Sequence, residues 1–163
     1  MKFRVNEDIE AGQDEVFAAF TDFEHFERMA LRHGAEVVRT DDGGRTGGPS
    51  WQVSAPFRGR RRRFQVTLAE MTPPDALRFE AVGDGLEMSV VLEFLQLSRR
   101  RTRVTVLIEL RPKTLPARLV VHSARLARKA ILRRLRRRFS QLARRIEARV
   151  VERGRREVST RRS

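Results

Sequence analysis

Residues 8–30 read DIEAGQDEVFAAFTDFEHFERMA, and the change of texture inside this stretch decides how the chain is laid out. Asp8 and Ile9 end an alternating run, Ala11 and Gly12 break it, and Asp14 and Glu15 then place negative charge where a helix N-terminus favours it. Val16, Phe17 and Phe20 recur at helical spacing, and Asp22 is positioned to cap a second short helix carrying Phe23, Phe26 and Met29. Four Phe residues between positions 17 and 26 form a plug that must bury against a large apolar surface.

Upstream, Phe3, Val5 and Ile9 lie on one face and Arg4, Asn6 and Asp8 on the other, the period-2 pattern of a half-buried strand. Downstream, Glu36 to Arg39 reads as a short strand, and the loop DDGGRTGGPS at 41–50 is turn chemistry with four glycines. Strands follow with alternating Trp51, Val53, Ala55, Phe57, then Phe64, Val66, Leu68, then Leu77, Phe79, Ala81. Leu86, Met88, Val90, Leu92 and Phe94 make the next strand, and Val104, Val106, Ile108 and Leu110 the last. About seven strands in hairpin succession predict an antiparallel sheet, apolar on one face and wet on the other.

The chain closes with a predicted long helix. Thr114 is its N-cap, Pro116 lies in the first turn, and Gly154 is its expected stop. At 100° per residue Val120, Ala124, Ala127, Ile131, Leu135, Leu142 and Ile146 share one face. A second stripe, Leu115, Leu119, Leu126 and Ala130, predicts that the first half is nearly enveloped. Unbroken, the helix would run roughly 57 Å and outreach a body roughly 40 Å across. The expected boundaries are a single domain over 1–152 and a basic disordered tail over 153–163.

The chain has 163 residues, no Cys, no Tyr and one Trp, with 35 Lys plus Arg against 21 Asp plus Glu and a net charge of +14. The length suffices for a self-sustaining core without disulfide or zinc. No apolar run approaches a transmembrane span, and the charged N-terminus MKFRVNEDIE is unlike a signal peptide, so a soluble cytoplasmic domain is expected. The charge is uneven: residues 1–110 hold 16 basic and 18 acidic side chains, residues 111–163 hold 19 and 3. Arg supplies 32 of the 35 cations, a bias that a GC-rich coding genome also produces without selection for phosphate binding.

A strand, two short helices, six further antiparallel strands and a long C-terminal helix resemble the helix-grip fold of the START-like superfamily, labelled SRPBCC. That superfamily includes polyketide cyclase/dehydrase and lipid-transport proteins and birch-pollen-type ligand binders. Residues 8–30 are similar to the family's opening: a polar strand end, a small-residue turn, the Val16-Phe17 pair and the Asp22-Phe23 pair. The resemblance covers residues 3 to about 150 and implies an α+β fold in which a curved sheet wraps the long helix around an apolar cavity. Two features depart from the family: the Arg-rich helix end, and Glu27, Arg28 and Met29 where Trp and Pro often follow the second helix.

The search for chemistry is short. GxSxG, HExxH, Walker and GxGxxG signatures are all missing, and without Cys there is no thiol nucleophile. Asp22 and His25, at i and i+3, could share a metal, but a capped helix with an exposed His is the favoured reading, and no metal or cofactor is predicted. His122 on the long helix and Glu7 on the inward parity of the first strand are the two residues that could act as acid and base; packing or solvent contact is the simpler reading of His122, a ligand hydrogen bond a further one, and an ordinary strand-edge carboxylate accounts equally for Glu7. Strand parity predicts a ligand-binding lining of Trp51, Val53, Phe64, Phe79, Met88, Val90 and Val106, completed by Leu119, His122 and Leu126 from the helix.

Arg133, Arg134, Arg136, Arg137, Arg138, Arg144 and Arg145 admit three readings: a solvated face, an anionic membrane surface, or nucleic acid, the last poorly supported because Phe139 is the only aromatic beyond residue 110. The stripe from Leu135 to Val150 could also pair with a second copy. The leading expectation is a non-catalytic carrier or sensor for a hydrophobic small molecule or lipid, membrane-peripheral if the basic helix docks. A polyketide cyclase/dehydrase-like enzyme is the alternative.

Overall fold

A computed structural model describes residues 1–40, 48–57 and 59–162. The chain forms β1 (Lys2–Ile9), α1 (Gln13–Phe20), α2 (Phe23–Arg32), β2 (Glu36–Arg39), β3 (Ser50–Phe57), β4 (Arg60–Thr72), β5 (Ala76–Gly83), β6 (Leu86–Ser98), β7 (Arg101–Pro112), α3 (Leu115–Leu126) and α4 (Arg128–Arg161). The strands make one antiparallel sheet in the order β1-β7-β6-β5-β4-β3-β2. This is the α+β helix-grip arrangement. Of the glycine-rich loop expected over 41–50, residues 41–47 lie outside the described residues.

Local chemistry explains the joints. Asp22 Oδ1 accepts the His25 backbone N–H at 3.3 Å, capping α2, and Thr114 accepts that of Ala117 at 3.3 Å at the start of α3. The β5–β6 turn has positive φ at both central residues, Asp84 at 50° and Gly85 at 69°, the type I′ geometry that matches strand twist. Gly83 is fixed by proximity, because a Cβ there would collide with the Arg63 carbonyl on β4. Thr102, fully buried, donates its hydroxyl to the Ala11 carbonyl at 2.9 Å and pins the turn after β1.

Two apolar clusters fill the space between sheet and helices. The larger gathers Val5, Ile9, Val16, Phe17, Phe20, Trp51, Leu77, Phe94, Val104, Phe139 and Ile146. The expected Phe plug is its centre: Phe17 and Phe20 meet Phe94 edge-on at 5.3 and 5.4 Å, and Phe20 meets Phe139 at 6.4 Å. The smaller cluster, Phe3, Leu86, Leu110 and Val121, lies under α3.

The predicted single helix is two. Ala127, at φ −95° and ψ 16°, interrupts it where packing passes from the smaller cluster to the larger, and the buried stripe keeps its phase across the break. Gly154 does not stop α4, which continues to Arg161; one glycine costs about 1 kcal/mol against Ala, too little to end a long helix alone. Residues 151–162 are all exposed, so the last turns of a helix roughly 51 Å long run past the packed body. The second apolar stripe is not enveloped either. α3 lays Ala117, Val121 and Ala124 on the sheet side, while Leu115, Leu119 and Leu126 are 73%, 71% and 79% exposed on the opposite side.

Candidate functional site

A cavity of about 450 Å³ lies between the sheet, α2 and α4. Trp51, Val53, Val66, Phe79, Val90, Leu92 and Val106 form its floor on β3 to β7. Phe23, Phe26, Met29 and Ala30 descend from α2, and Phe139 and Leu142 from α4. The spacing of the α2 residues puts them on one helical face, and Phe23 locks that face to the floor through edge-on contacts with Trp51 at 5.3 Å and Phe79 at 6.4 Å.

Two lining residues are ionisable, Glu27 and the exposed His33. Glu27 Oε1 accepts the Trp51 indole N–H at 2.8 Å and the Arg39 Nε–H at 3.0 Å, and Arg39 Nη2 lies 2.9 Å away in the same ion pair. Arg39 in turn stands 5.9 Å above the Trp51 ring. At the far end of α2, Asp22 Oδ2 takes Arg149 Nη2 from α4 at 3.1 Å. Burial pushes the Asp22 carboxyl up, but hydrogen bonds from Arg149 and the His25 backbone outweigh it and hold the group below its ordinary value. Burial, with Arg149 nearby, pushes the His25 ring down.

Of the expected lining, Trp51, Val53, Phe79, Val90 and Val106 come together around the cavity. Phe64 and Met88 point instead into the smaller cluster beside Val121. Leu119, His122 and Leu126 sit on the exposed side of α3. Glu7, half-buried opposite Val104, is not among the lining residues, so His122 and Glu7 do not meet at this cavity. Asp22 and His25 are joined by a capping bond, and no cluster of three or more potential metal ligands occurs among the described residues. Sequence reasoning missed the α2 face, Glu27, His33, Phe139 and Leu142; the signal available was the helical recurrence of Phe23, Phe26 and Ala30.

The seven Arg residues from 133 to 145 singled out from the sequence are all exposed. Arg144 donates to Ser140 at 3.1 Å and Arg145 reaches the Met29 sulfur at 3.7 Å, while Arg133, Arg134, Arg136, Arg137 and Arg138 form no ion pair among the described residues. No helix among the described residues is long and apolar enough to cross a membrane.

The family described as polyketide cyclase / dehydrase and lipid transport matches residues 1–147. The chain belongs to that family. No curated protein matches it by sequence. Among solved structures, this family member is similar to the Zhui aromatase/cyclase of a Streptomyces strain, at 12% identity and a TM-score of 0.64, over 92% of this chain and 95% of that one. It is also similar to the TTHA0849 protein of Thermus thermophilus, at 20% identity and a TM-score of 0.63, over 93% and 98% of the two chains. A third neighbour is norcoclaurine synthase from Thalictrum flavum, solved with dopamine and hydroxybenzaldehyde, at 11% identity and a TM-score of 0.63, over 93% and 87%. At these identities the likeness is one of fold.

Proposed function

We propose that this polyketide cyclase / dehydrase and lipid transport family member binds an apolar small molecule or lipid between α2, the sheet and α4, as a carrier or sensor. The observation that carries the reading is the cavity: about 450 Å³, within the range of small-molecule sites, walled by Phe, Trp, Val, Leu and Met with Glu27 and His33 as its ionisable members. A cyclase-like reaction would need an acid and a base at the ligand; His122 and Glu7 do not line this space, and its ionisable lining residues are Glu27 and the exposed His33. Native mass spectrometry of the purified protein, followed by organic extraction, tests the reading. A co-purifying apolar molecule, or uptake from a panel of lipids and aromatic polyketides, is expected; a clean apo mass with no uptake would sink it.

A second reading concerns the outer surface of α3. Leu115, Leu119 and Leu126 fall within about 40° of one another at 100° per residue, pointing away from the sheet. From Leu110 to Ile146 the chain carries 13 Arg and Lys and no Asp or Glu. A second copy docking here would bring like charges together, whereas an anionic bilayer offers the leucines an apolar layer and the cations their counter-charge. We propose that α3 docks on anionic lipid. Binding to phosphatidylglycerol-containing vesicles but not to pure phosphatidylcholine, lost in the L115S/L119S/L126S variant, is expected in flotation. Duplex DNA binding that the serine variant leaves untouched, with no vesicle binding, would transfer the surface to nucleic acid.

A further inference from the structure

We infer that the ligand is an amphiphile with an anionic head: its hydrocarbon body fills the cavity, and its head stays at the rim beside Arg145 of α4, in a positive field to which Arg138 adds. This rests on the cavity being a ligand site.

The interior offers a ligand carbon and no hydrogen bond. Apart from Glu27 and His33 the lining side chains are aliphatic, aromatic or thioether, and the surface they present to the cavity is almost wholly apolar. The Trp51 indole N–H is spent on Glu27 at 2.8 Å, Glu27 is held by Arg39 as well, and His33 is exposed. A polar group carried inside would give up its water with no partner to replace it. The polar end of an amphiphile therefore remains at the mouth.

The mouth is positively charged along the seam of α2 and α4. Leu142 lines the cavity, and at 100° per residue Arg138 lies about 40° and Arg145 about 60° from it, on the same side of α4. That side faces α2. Arg149 there takes Asp22 at 3.1 Å, and Arg145 Nη1 lies 3.7 Å from the sulfur of Met29, a lining residue. A guanidinium has five N–H donors and a thioether is a weak acceptor. Neither Arg138 nor Arg145 meets a carboxylate among the described residues.

Nor does α2 supply the missing counter-charge. Its Asp22 cap is taken by Arg149 and Glu27 by Arg39, which leaves Glu24 against Arg28 and Arg32, all three exposed. Burial, then the charges of Arg149, Arg28 and Arg32, hold the His25 ring below its ordinary value in spite of Asp22 beside it. A carboxylate or phosphate at the rim supplies that counter-charge and accepts the paired N–H donors of Arg145. A cationic head meets like charge.

The test uses decanoate, decyltrimethylammonium and 1-decanol, three heads on one chain length, in equilibrium dialysis against the full chain. The wild type is expected to bind decanoate at least about tenfold more tightly than decyltrimethylammonium. In R138Q/R145Q decanoate affinity should fall at least about fivefold while that for 1-decanol stays within about twofold, which also reports that the cavity is intact. R155Q/R161Q removes the same charge from exposed turns of α4 beyond the packed body and should leave decanoate binding within about twofold. Equal binding of the two ions by the wild type, decanoate affinity unchanged in R138Q/R145Q, or an equal loss in R155Q/R161Q overturns the rim site, and 1-decanol binding then leaves the cavity reading standing. The wild-type comparison decides alone should R138Q/R145Q fail to fold. If none of the three probes binds the wild type, the cavity reading itself falls and the rim site with it.

Discussion

Arg149 Nη2 lies 3.1 Å from Asp22 Oδ2, tying α4 to the residue that caps α2 across 127 positions of sequence. Because α2 forms one wall of the cavity, this contact sets how that wall sits on the sheet. Asp22→Ala removes both the cap and the ion pair and should cost about 1–2 kcal/mol, most of it from the cap. Asp22→Asn keeps a capping oxygen and should cost less than about 1 kcal/mol, as should Arg149→Ala. Urea midpoints of the three variants check the ranking; equal losses in Asp22→Ala and Asp22→Asn would mean that charge, not capping, dominates.

Acid sensitivity should appear at the edge of the sheet. Asp8 on β1 takes Arg103 Nε at 2.8 Å and Arg101 Nη2 at 3.1 Å. The Arg103 hydrogen bond, opposed by some burial and helped by both guanidinium charges, holds the Asp8 carboxyl below its ordinary value of 3.8. A folded-state value below the unfolded one gives stability that is present above the unfolded value and lost as pH falls through the folded one. Asp8→Asn should therefore be less stable than wild type at neutral pH, with the gap closing below pH 3.8. Denaturation at a series of pH values checks this; a gap that stays constant into acid would refute it.

The strands were legible because each obeys period 2 with a polar turn after it, and seven of them fix an antiparallel sheet. Which strand positions line the cavity was half legible. Parity puts Phe64 and Val66 on one face, yet only Val66 reaches the cavity, while Phe64 falls to the smaller cluster. Alternation tells inside from outside but carries no information on position along a curved sheet. The role of Glu27 was hidden for a related reason: its meaning lies in a bond to Trp51, 24 positions away, and helical periodicity marks it only as one polar residue in an amphipathic segment. Leu119 and Leu126 misled because apolar periodicity predicts burial, and a helix with apolar residues on two opposite faces can bury only the one that meets the sheet.

Filling the cavity should separate binding from folding. Val90 on β6 faces the cavity from the floor, paired across the ladder with Phe79. Val90→Phe adds a ring into open space, so the overpacking penalty of about 1–3 kcal/mol seen in full cores should not arise. The melting temperature is expected to hold or rise, and uptake of any apolar ligand to fall by more than about tenfold, a loss worth roughly 1.4 kcal/mol or more of binding free energy. Trp51 is the only tryptophan and lines the same space, so its fluorescence reports occupancy directly. Full uptake by a folded Val90→Phe protein would place the ligand elsewhere.

The last turns of α4 give the sharpest test of where the folded domain ends. Gly154 lies inside the helix, and a Cβ built there meets nothing within 4 Å. Residues 151–162 are exposed on every side, so this stretch rests on intrinsic propensity and pairs such as Arg156 with Glu152 at 2.8 Å, a contact worth only a few tenths of a kcal/mol. Gly154→Ala should favour the helix locally by up to about 1 kcal/mol. Far-UV circular dichroism should then show more helix, while the melting temperature of the body stays unchanged, because the added stability sits in turns that touch nothing else. A rise in melting temperature would show that the terminal turns pack against the body after all. A wild-type helical signal too small for a helix reaching Arg161 would mean that the stretch from 153 is disordered in solution, the boundary first expected from the sequence.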